Sequence, residues 1–302
     1  MTEFKKITLE DRNLIRSYYE RYPSRSCERT FAYQYLWSQA DDITFAEVED
    51  TLVMKSEYRG KTYFAWPAGP QERIAAAVEE LDRYAREELS EELRFYHMTP
   101  TQFEQLEVIQ PGLWTIDYNR DLADYIYDRE KLATLAGKKL HSKRNHINRF
   151  IEHYPDWRCE ALCADNAADA EQIAIRWRDE NDCSSDPDKA AESCFALNSI
   201  AMRDELQLTG AVLYAGEEPV AFTVGERLSD DTYVIHVEKA FADIQGAYAM
   251  INREFVRQAC GDCTYVNREE DTGDEGLRKA QMSYRPVVME EKGIAVRSQE
   301  KT

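Results

Sequence analysis

One stretch of the chain, residues 232–286, constrains the fold most strongly because strand and helix patterns alternate along it twice. Strands are predicted at residues 232–239 and 264–267, and a helix follows each of them. Two neighbouring strand ends, each followed by a helix start, form a cleft that is floored by backbone N–H groups. Unpaired N–H groups and the helix macrodipole favour anions at such a place. The stretch therefore predicts an α/β fold with a ligand-binding cleft.

Polar residues end the first of these strands. Because side chains alternate along a strand, His236 and Glu238 share one face and lie about 7 Å apart. A histidine and a carboxylate in this arrangement are candidates for proton transfer. The alternative is a satisfied polar pair at the end of a sheet. We predict that His236 or Glu238 is catalytic.

A glycine loop joins this strand to the helix at Ala247–Ala259. Gly246 lets the backbone approach a ligand closely, and the helix start that follows favours an anion. A glycine before a helix is common, and here the polar end of the preceding strand strengthens the prediction. We therefore assign Gln245, Gly246 and Ala247 to donor binding.

The charged loop after the second strand holds a further set of candidates. Asn267 and Arg268 are placed to orient a substrate, and Glu270 or Asp271 to bind an amine. Helix capping explains Thr272, which precedes the last helix, but it does not explain Arg268. Nor does capping explain two cations in the first turns of that helix, where the dipole disfavours them: Arg278 and Lys279.

A basic helix is predicted at residues 129–154, and Gly137 is expected to break or kink it. Its apolar stripe is interrupted by Lys143 and Arg144, where the helical spacing predicts an apolar residue. Either these cations extend to solvent and pair with carboxylates, or they line the cleft and bind phosphate or carboxylate groups. We favour the cleft, so the donor-binding candidates on this helix are Lys143, Arg144, Asn145, His146 and Arg149.

The order of predicted elements is the same in both halves: two helices, strands, a helix and further strands. This repetition predicts a duplicated α/β unit, with one domain at residues 1–128 and a second at 129–302 that holds the cleft.

Composition limits the functional classes. A net charge of −19 over 302 residues argues against a general nucleic-acid binder, although a local basic patch remains compatible with it. No apolar run approaches the ~20 residues of a membrane span, and the first residues lack a signal-peptide pattern, so we expect a cytoplasmic protein. Among seven cysteines, Cys260 and Cys263 form a C-x-x-C pair. Buried or turn thiols are favoured there over a redox or metal role.

Three blocks of the sequence resemble an uncharacterised bacterial family related to the C-terminal domain of phosphatidylglycerol lysyltransferase. The blocks are GKKLHSKRNHINRF at 137–150, HVEKA at 236–240 with GAY at 246–248, and NREED at 267–271 with GLRKA at 276–280. The resemblance implies two tandem GNAT (acyl-CoA N-acyltransferase) units, each a mixed, mostly antiparallel sheet flanked by helices. Better-understood relatives resemble Fem-type transferases, which move an aminoacyl group from aminoacyl-tRNA to an amine or a lipid hydroxyl.

The sequence departs from these relatives at three places. The multi-span membrane region of the lipid-modifying enzymes is absent from it. The GNAT signature for acetyl-CoA is matched only in part around Gly246. The tyrosine that often acts as general acid in the last GNAT helix corresponds to Ala280, and Tyr284 lies one turn later.

The resemblance implies a cytoplasmic acyltransferase that moves an aminoacyl group from aminoacyl-tRNA to an amine or hydroxyl acceptor. Two alternatives stay open: an acetyl-CoA-dependent N-acetyltransferase, and a non-catalytic GNAT-like module that binds an anionic ligand. The donor is then aminoacyl-tRNA or acyl-CoA, with no metal and no firm cofactor. The expected partners are tRNA at the basic patch and a small-molecule, peptide or lipid-headgroup acceptor. Substrate positioning falls to Asp271, Arg278, Lys279 and Tyr284.

Overall fold

The computed structural model describes residues 2–181 and 186–297, in which strands and helices alternate. The strands are β1 (Lys5–Lys6), β2 (Ile43–Val48), β3 (Thr51–Tyr58), β4 (Lys61–Ala65), β5 (Arg94–Met98), β6 (Trp114–Tyr118), β7 (Asp124–Asp128), β8 (Arg158–Ala161), β9 (Thr209–Ala215), β10 (Glu218–Arg227), β11 (Thr232–Ala240), β12 (Tyr265–Asn267), β13 (Val288–Glu290) and β14 (Gly293–Arg297). The helices are α1 (Arg12–Arg21), α2 (Phe31–Trp37), α3 (Gln71–Glu87), α4 (Pro100–Ile109), α5 (Arg129–Thr134), α6 (His141–His153), α7 (Ala167–Glu180), α8 (Pro187–Ala201), α9 (Arg203–Leu206), α10 (Ala247–Ala259) and α11 (Glu275–Ser283).

The chain forms two compact units. Within the described residues, the first unit comprises 2–124, 270–274 and 289–297, and the second comprises 125–181, 186–269 and 275–288. This division differs from the predicted boundary after residue 128. The reason is strand pairing, because β7 joins the second sheet and β14, at the other end of the chain, joins the first.

The first unit is built on a sheet with the order β1-β2-β3-β4-β5-β14-β6. Its neighbours pair antiparallel, except for the parallel pair β4 and β5. Helix α3 packs an apolar stripe into the core of this unit, and Ile74, Val78 and Leu81 on that stripe are buried. Spacing of three and four residues places these side chains on one helix face, as the sequence predicts.

The second unit has the sheet order β13-β7-β12-β11-β10-β9-β8, in which β11 and β12 run parallel. The short strand β12 ends at Asn267, opposite Val234, whereas β11 continues to Ala240. The side chains that follow Asn267 therefore lie beside the free part of β11. Two tandem GNAT-like units, each with a mixed sheet and flanking helices, confirm the predicted fold class.

The basic segment between the two halves is broken, as the glycine in it predicts. Helix α5 ends at Thr134, its capping residue Leu135 has a left-handed backbone (φ 52°), and Gly137 follows at φ 93°. A short 3-10 turn then leads into α6. Because Gly137 has no Cβ, it adopts this conformation without the strain that other residues incur. Within α6, Ile147 and Phe150 are the buried residues.

Candidate functional site

A buried arginine lies at the centre of the polar residues in the second unit. Arg268 follows β12 directly, and its Nη2 donates to Glu238 Oε1 at 2.8 Å. Its guanidinium carbon Cζ lies 4.9 Å from the centre of the Tyr284 ring and 5.7 Å from the centre of the Tyr127 ring. Although the side chain is only 10% exposed, Nη1 has no hydrogen-bond partner among the described residues. Arg268 therefore presents a buried terminal nitrogen of a permanent cation whose N–H groups are unused within the described residues.

The carboxylate of Glu238 is fixed on both oxygens. Oε1 accepts from Arg268, and Oε2 accepts from Asn252 Nδ2 at 2.8 Å. The amide oxygen of Asn252 is buried and has no partner among the described residues. A carboxylate that accepts from a cation and from an amide fixes the positions of both donors. Glu238 therefore serves to orient Arg268 and Asn252.

His236 is enclosed rather than exposed to a cleft. Its side chain has no exposed surface, and it lies between Glu226 (Nε2–Oε1, 3.1 Å) and Glu269 (Nδ1–Oε1, 2.7 Å). Burial alone would lower the pKa of His236, but hydrogen bonds to the two carboxylates raise it to about 9. The imidazolium is then the stable form at neutral pH. This geometry supports the alternative of a satisfied polar group at the sheet end.

Lys143 is the member of the basic segment that reaches this group. It is half-buried on α6, and its Nζ lies 3.9 Å from the centre of the Tyr284 ring. Among the described residues it forms no ion pair. Burial and, to a smaller extent, the neighbouring Arg268 lower the pKa of Lys143 to about 8, although Glu238 partly opposes them. The structure thus brings together Lys143, Arg268 and Glu238, as the cleft hypothesis predicts.

The other donor-binding candidates predicted on this helix have different surroundings. Arg144 Nη1 donates to the carbonyl oxygens of Leu135 and Gly137, so it stabilises the break before α6. The remaining three are exposed on α6: Asn145, His146 and Arg149. Arg144 therefore has a structural task, whereas the exposed side chains leave a basic surface open to solvent.

The glycine loop before α10 is packed against α6. Gly246 has φ 93°, and a Cβ at this position would overlap the carbonyl oxygen of His146 and lie 3.0 Å from Phe150 Cβ. Ala247 is buried and Gln245 is exposed. The glycine is thus required by the approach of α6. Sequence reasoning explained the same glycine by the approach of a ligand.

The loop after β12 separates the predicted residues. Asn267 is fully buried, and its Oδ1 accepts from the Glu269 backbone at 2.7 Å. Glu270 and Asp271 belong to the first unit. There Glu270 Oε2 lies 3.8 Å from Lys292 Nζ, and Asp271 Oδ2 lies 3.3 Å from Arg120 Nη1. Asn267 therefore shapes the loop, and the two acids take part in contacts of the first unit.

The candidates on α11 and just after it differ in how deeply they are buried. Lys279 is exposed and Arg278 is half-buried on this helix. Tyr284 is 5% exposed, and burial raises its pKa well above its usual value. Its ring faces Lys143 and Arg268, so it forms a wall for the two cations.

Sequence reasoning missed two amides that hold the site together. Asn252 lies on the buried face of α10 and is fully buried. Gln281 Oε1 accepts from the Tyr127 hydroxyl at 2.7 Å, and its Nε2 donates to the Arg268 carbonyl at 3.0 Å. A polar residue at an apolar position of an amphipathic helix was the available signal for Asn252. Gln281 has no such signal, because its partners come from distant parts of the sequence.

The two cysteines of the C-x-x-C pair are buried in a turn. Cys263 N donates to Cys260 O at 3.1 Å, and burial raises the pKa of both thiols. Thiols in this state are poor nucleophiles. The surroundings agree with the predicted buried turn thiols.

The described residues thus form two α/β units, each with a mixed sheet and flanking helices, and the second unit holds a buried arginine, a fixed carboxylate and a partly desolvated lysine. The family described as "Phosphatidylglycerol lysyltransferase, C-terminal" matches residues 19–296. The chain belongs to this family.

Solved structures agree with that membership. A conserved protein of unknown function from Bacteroides thetaiotaomicron is 36% identical, with a TM-score of 0.94 over 99% of this chain and 100% of that one. The C-terminal domain of a putative lysylphosphatidylglycerol synthetase from Agrobacterium fabrum has 15% identity and a TM-score of 0.70, covering 96% and 92%. L-PGS from Bacillus licheniformis has 13% identity and a TM-score of 0.66, covering 95% and 92%.

A curated relative, an uncharacterized protein of Mycoplasmoides gallisepticum, is 24% identical over 168 residues, 54% of this chain. The match spans about half of that relative's length, 52%. Within residues 2–181 and 186–297, helices with the length and apolarity of a membrane span are absent.

Proposed function

We propose that the second unit catalyses transfer of an acyl group from an ester donor, the aminoacyl end of aminoacyl-tRNA, to an amine or hydroxyl acceptor. Family membership supports this reaction class, and two structural relatives are named for lysylphosphatidylglycerol synthesis. These names describe the relatives, and the donor and acceptor of this chain are part of the proposal.

The unused N–H group of Arg268 is the observation that carries the proposal. When an acceptor attacks an ester, negative charge develops on the carbonyl oxygen. A fixed donor in a water-poor site stabilises that charge, and loss of one such donor lowers rates by roughly 10²–10³-fold. Glu238 and the two tyrosine rings hold the guanidinium in place, so Nη1 needs no reorganisation to meet the oxyanion.

The packing of α6 on the start of α10 supports tRNA over coenzyme A as the carrier. A GNAT coenzyme needs the loop before this helix for its pyrophosphate, and here the His146 carbonyl abuts Gly246. The exposed side chains of α6 and of the preceding turn offer contacts to a phosphate backbone instead. They are Lys138, Lys139, His146 and Arg149.

Ligand-induced stabilisation tests the donor. A ligand that binds only the folded state at 100 times its Kd adds about 2.7 kcal/mol to the free energy of unfolding. We expect an amide-linked, non-hydrolysable aminoacyl-tRNA to raise the melting temperature, uncharged tRNA to raise it less, and acetyl-CoA to leave it unchanged. A shift with acetyl-CoA alone would identify a CoA-dependent N-acetyltransferase and contradict the proposal.

Binding without turnover is the remaining alternative. If aminoacyl-tRNA stabilises the protein but no acceptor ever receives the acyl group, the chain is a binding module. The fixed geometry around Arg268 favours an enzyme, since a module that only binds an anion gains nothing from a donor held for a developing charge.

A further inference from the structure

The geometry points to Lys143 as the proton acceptor of the transfer, the group that takes the proton from the attacking amine or hydroxyl. This role deepens the proposed function and rests on it. It also differs from donor-phosphate binding, the role that the sequence predicts for Lys143.

The other titratable groups of the site are committed elsewhere. His236 has no exposed surface and is held between two glutamates. Glu238 accepts from Arg268 and from Asn252, so it has no oxygen left without a contact. Tyr284 is 5% exposed, and burial keeps its hydroxyl protonated. Lys143 is half-buried and therefore both desolvated and open on one side.

Burial and a neighbouring cation disfavour the charged form of Lys143. Arg268, which follows β12, places a permanent cation beside it, whereas Tyr284, just after α11, offers a ring face that attracts an ammonium but no carboxylate. Glu238 on β11 is the nearby anion, and its charge is shared with Arg268. With a pKa of about 8, roughly a tenth of Lys143 is the free amine at pH 7 and about half at pH 8, which suits a general base.

A binding role is less consistent with this setting. A lysine that holds donor phosphates works best when it is fully protonated, and such lysines usually stand in solvent or beside an acid. Lys143 has no ion pair among the described residues, and its neighbour is another cation. The exposed Arg149 on the same helix has the surroundings that phosphate contact requires.

The proposed step balances as follows. The acceptor nitrogen or oxygen attacks the ester carbonyl carbon and forms the new bond, while Arg268 Nη1 donates to the developing oxyanion. The Lys143 amine takes the acceptor proton. When the tetrahedral intermediate collapses, the bond between the carbonyl carbon and the ribose oxygen breaks. The Lys143 ammonium then protonates that leaving oxygen, which regenerates the free amine.

The pH dependence of transfer tests this role. In the wild type, the single-turnover rate of transfer from aminoacyl-tRNA should rise with pH and level off above about 8. Lys143→Met should lower the rate at least 100-fold and remove this rise, and Lys143→Arg should not rescue it because a guanidinium stays protonated. Lys189→Met, at an exposed lysine on α8 of the same unit, is the matched control for lost charge and should keep the wild-type rate. A Lys143→Met variant that keeps the wild-type rate and pH profile would overturn the assignment.

Direct titration separates failure of this role from failure of the proposed function. Reductive methylation with ¹³C-formaldehyde gives each lysine an NMR signal, and the signal missing from Lys143→Met identifies this residue. We expect it to titrate near pH 8, well below the exposed lysines. Titration together with the exposed lysines would overturn the base role even if transfer occurs. A signal near pH 8 without transfer from any aminoacyl-tRNA would instead contradict the proposed function, and the base role with it.

Discussion

Arg268 and His236 are both buried cations in the second unit, but they differ in whether all of their nitrogens have a hydrogen-bond partner. Each His236 nitrogen faces a glutamate oxygen, so the ring stabilises the sheet end and offers nothing to a substrate. Arg268 uses one terminal nitrogen for Glu238 and leaves the other buried without a partner in the described residues. A buried donor without a partner carries a free-energy cost that a ligand oxygen would remove.

Replacement of Arg268 by lysine separates its structural task from its catalytic one. An ammonium can pair with Glu238, but it lacks the second fixed N–H group that meets the oxyanion. We expect Arg268→Lys to remain folded and to lower the transfer rate by roughly 10²–10³-fold. Arg257→Lys, on the exposed side of α10, is the matched control and should keep the wild-type rate. A wild-type rate in Arg268→Lys would remove the oxyanion role.

His236 should make stability depend on pH. Its folded-state pKa of about 9 lies above the value of about 6.5 in an unfolded chain. The stabilisation is therefore complete below pH 6.5 and is lost as the pH rises through 9, up to roughly 3 kcal/mol. Urea denaturation at several pH values measures this stabilisation as the difference in the free energy of unfolding between wild type and His236→Gln. Lys143 has the opposite pH dependence, but it is present in both proteins and its contribution cancels in the difference. The same pH slope in both proteins would show that His236 is not held as an imidazolium.

At the scale of elements, the break in the basic segment sets the position of α6. The left-handed residues before it let the chain turn, and Arg144 ties the turn by donating to two of its carbonyls. Helix α6 then lies against the start of α10, where Gly246 admits the His146 carbonyl. This packing carries Lys143 to the Tyr284 ring and turns the exposed cations of α6 outward.

Two glycines with positive φ test the α6–α10 contact. Gly246 has φ 93° and Gly216, between β9 and β10, has φ 65°, but a Cβ at Gly216 meets nothing within 4 Å, whereas at Gly246 it overlaps α6. Gly216→Ala should cost about 1 kcal/mol for the backbone alone. Gly246→Ala should cost about 1–3 kcal/mol more, because a tight contact is overpacked. Equal losses in urea denaturation would mean that α6 does not press on this loop.

Periodicity predicted most of the elements, because local pattern determines them. The helix at Ala247–Ala259 has the predicted bounds. Strand β14 in the first sheet was beyond prediction, since its pairing with β5 and β6 depends on contacts across almost the whole chain. A pattern of that kind has no local trace in one sequence.

The site was predictable in part for the same reason. The interrupted apolar stripe of the basic segment indicated Lys143. Arg268 was indicated because helix capping does not explain a cation in the loop after β12. Strand alternation placed His236 and Glu238 on one face, but it cannot report how deeply a face is covered. The burial of His236 therefore escaped prediction. Glu270 lies in the first unit although Glu269 lies in the second, because neighbouring loop residues can join different units, which local sequence does not show.

At the scale of the whole molecule, the last segment of the chain completes the first unit. Lys292 is fully buried, and its Nζ lies 2.6 Å from Asp124 Oδ1 and 2.6 Å from Glu28 Oε1. Burial opposes its charge, yet the Asp124 and Glu28 carboxylates, with Cys27, hold the pKa of Lys292 well above its usual value. The ammonium thus joins residues that are far apart in sequence.

Removal of this cation should destabilise the first unit strongly. Lys292→Met removes the ammonium that Asp124 and Glu28 share, and breaking a buried ion pair in this way costs about 3–5 kcal/mol. Lys61→Met, at an exposed lysine on β4 of the same sheet, should cost less than 1 kcal/mol. Hydrogen exchange should show the loss of protection first in the strands of the first unit. Equal effects of the two substitutions would contradict the structural role of Lys292.

The central claim concerns transfer itself, and one measurement tests it most directly. Each of the twenty aminoacyl-tRNAs and acetyl-CoA would be mixed with excess protein and a pool of amine and hydroxyl acceptors, and acyl transfer would be followed by mass spectrometry. The account predicts transfer from at least one aminoacyl-tRNA, weakened at high salt and lost in Arg268→Lys, with acetyl-CoA unreactive. Transfer from acetyl-CoA alone, or aminoacyl transfer that Arg268→Lys leaves intact, would contradict it.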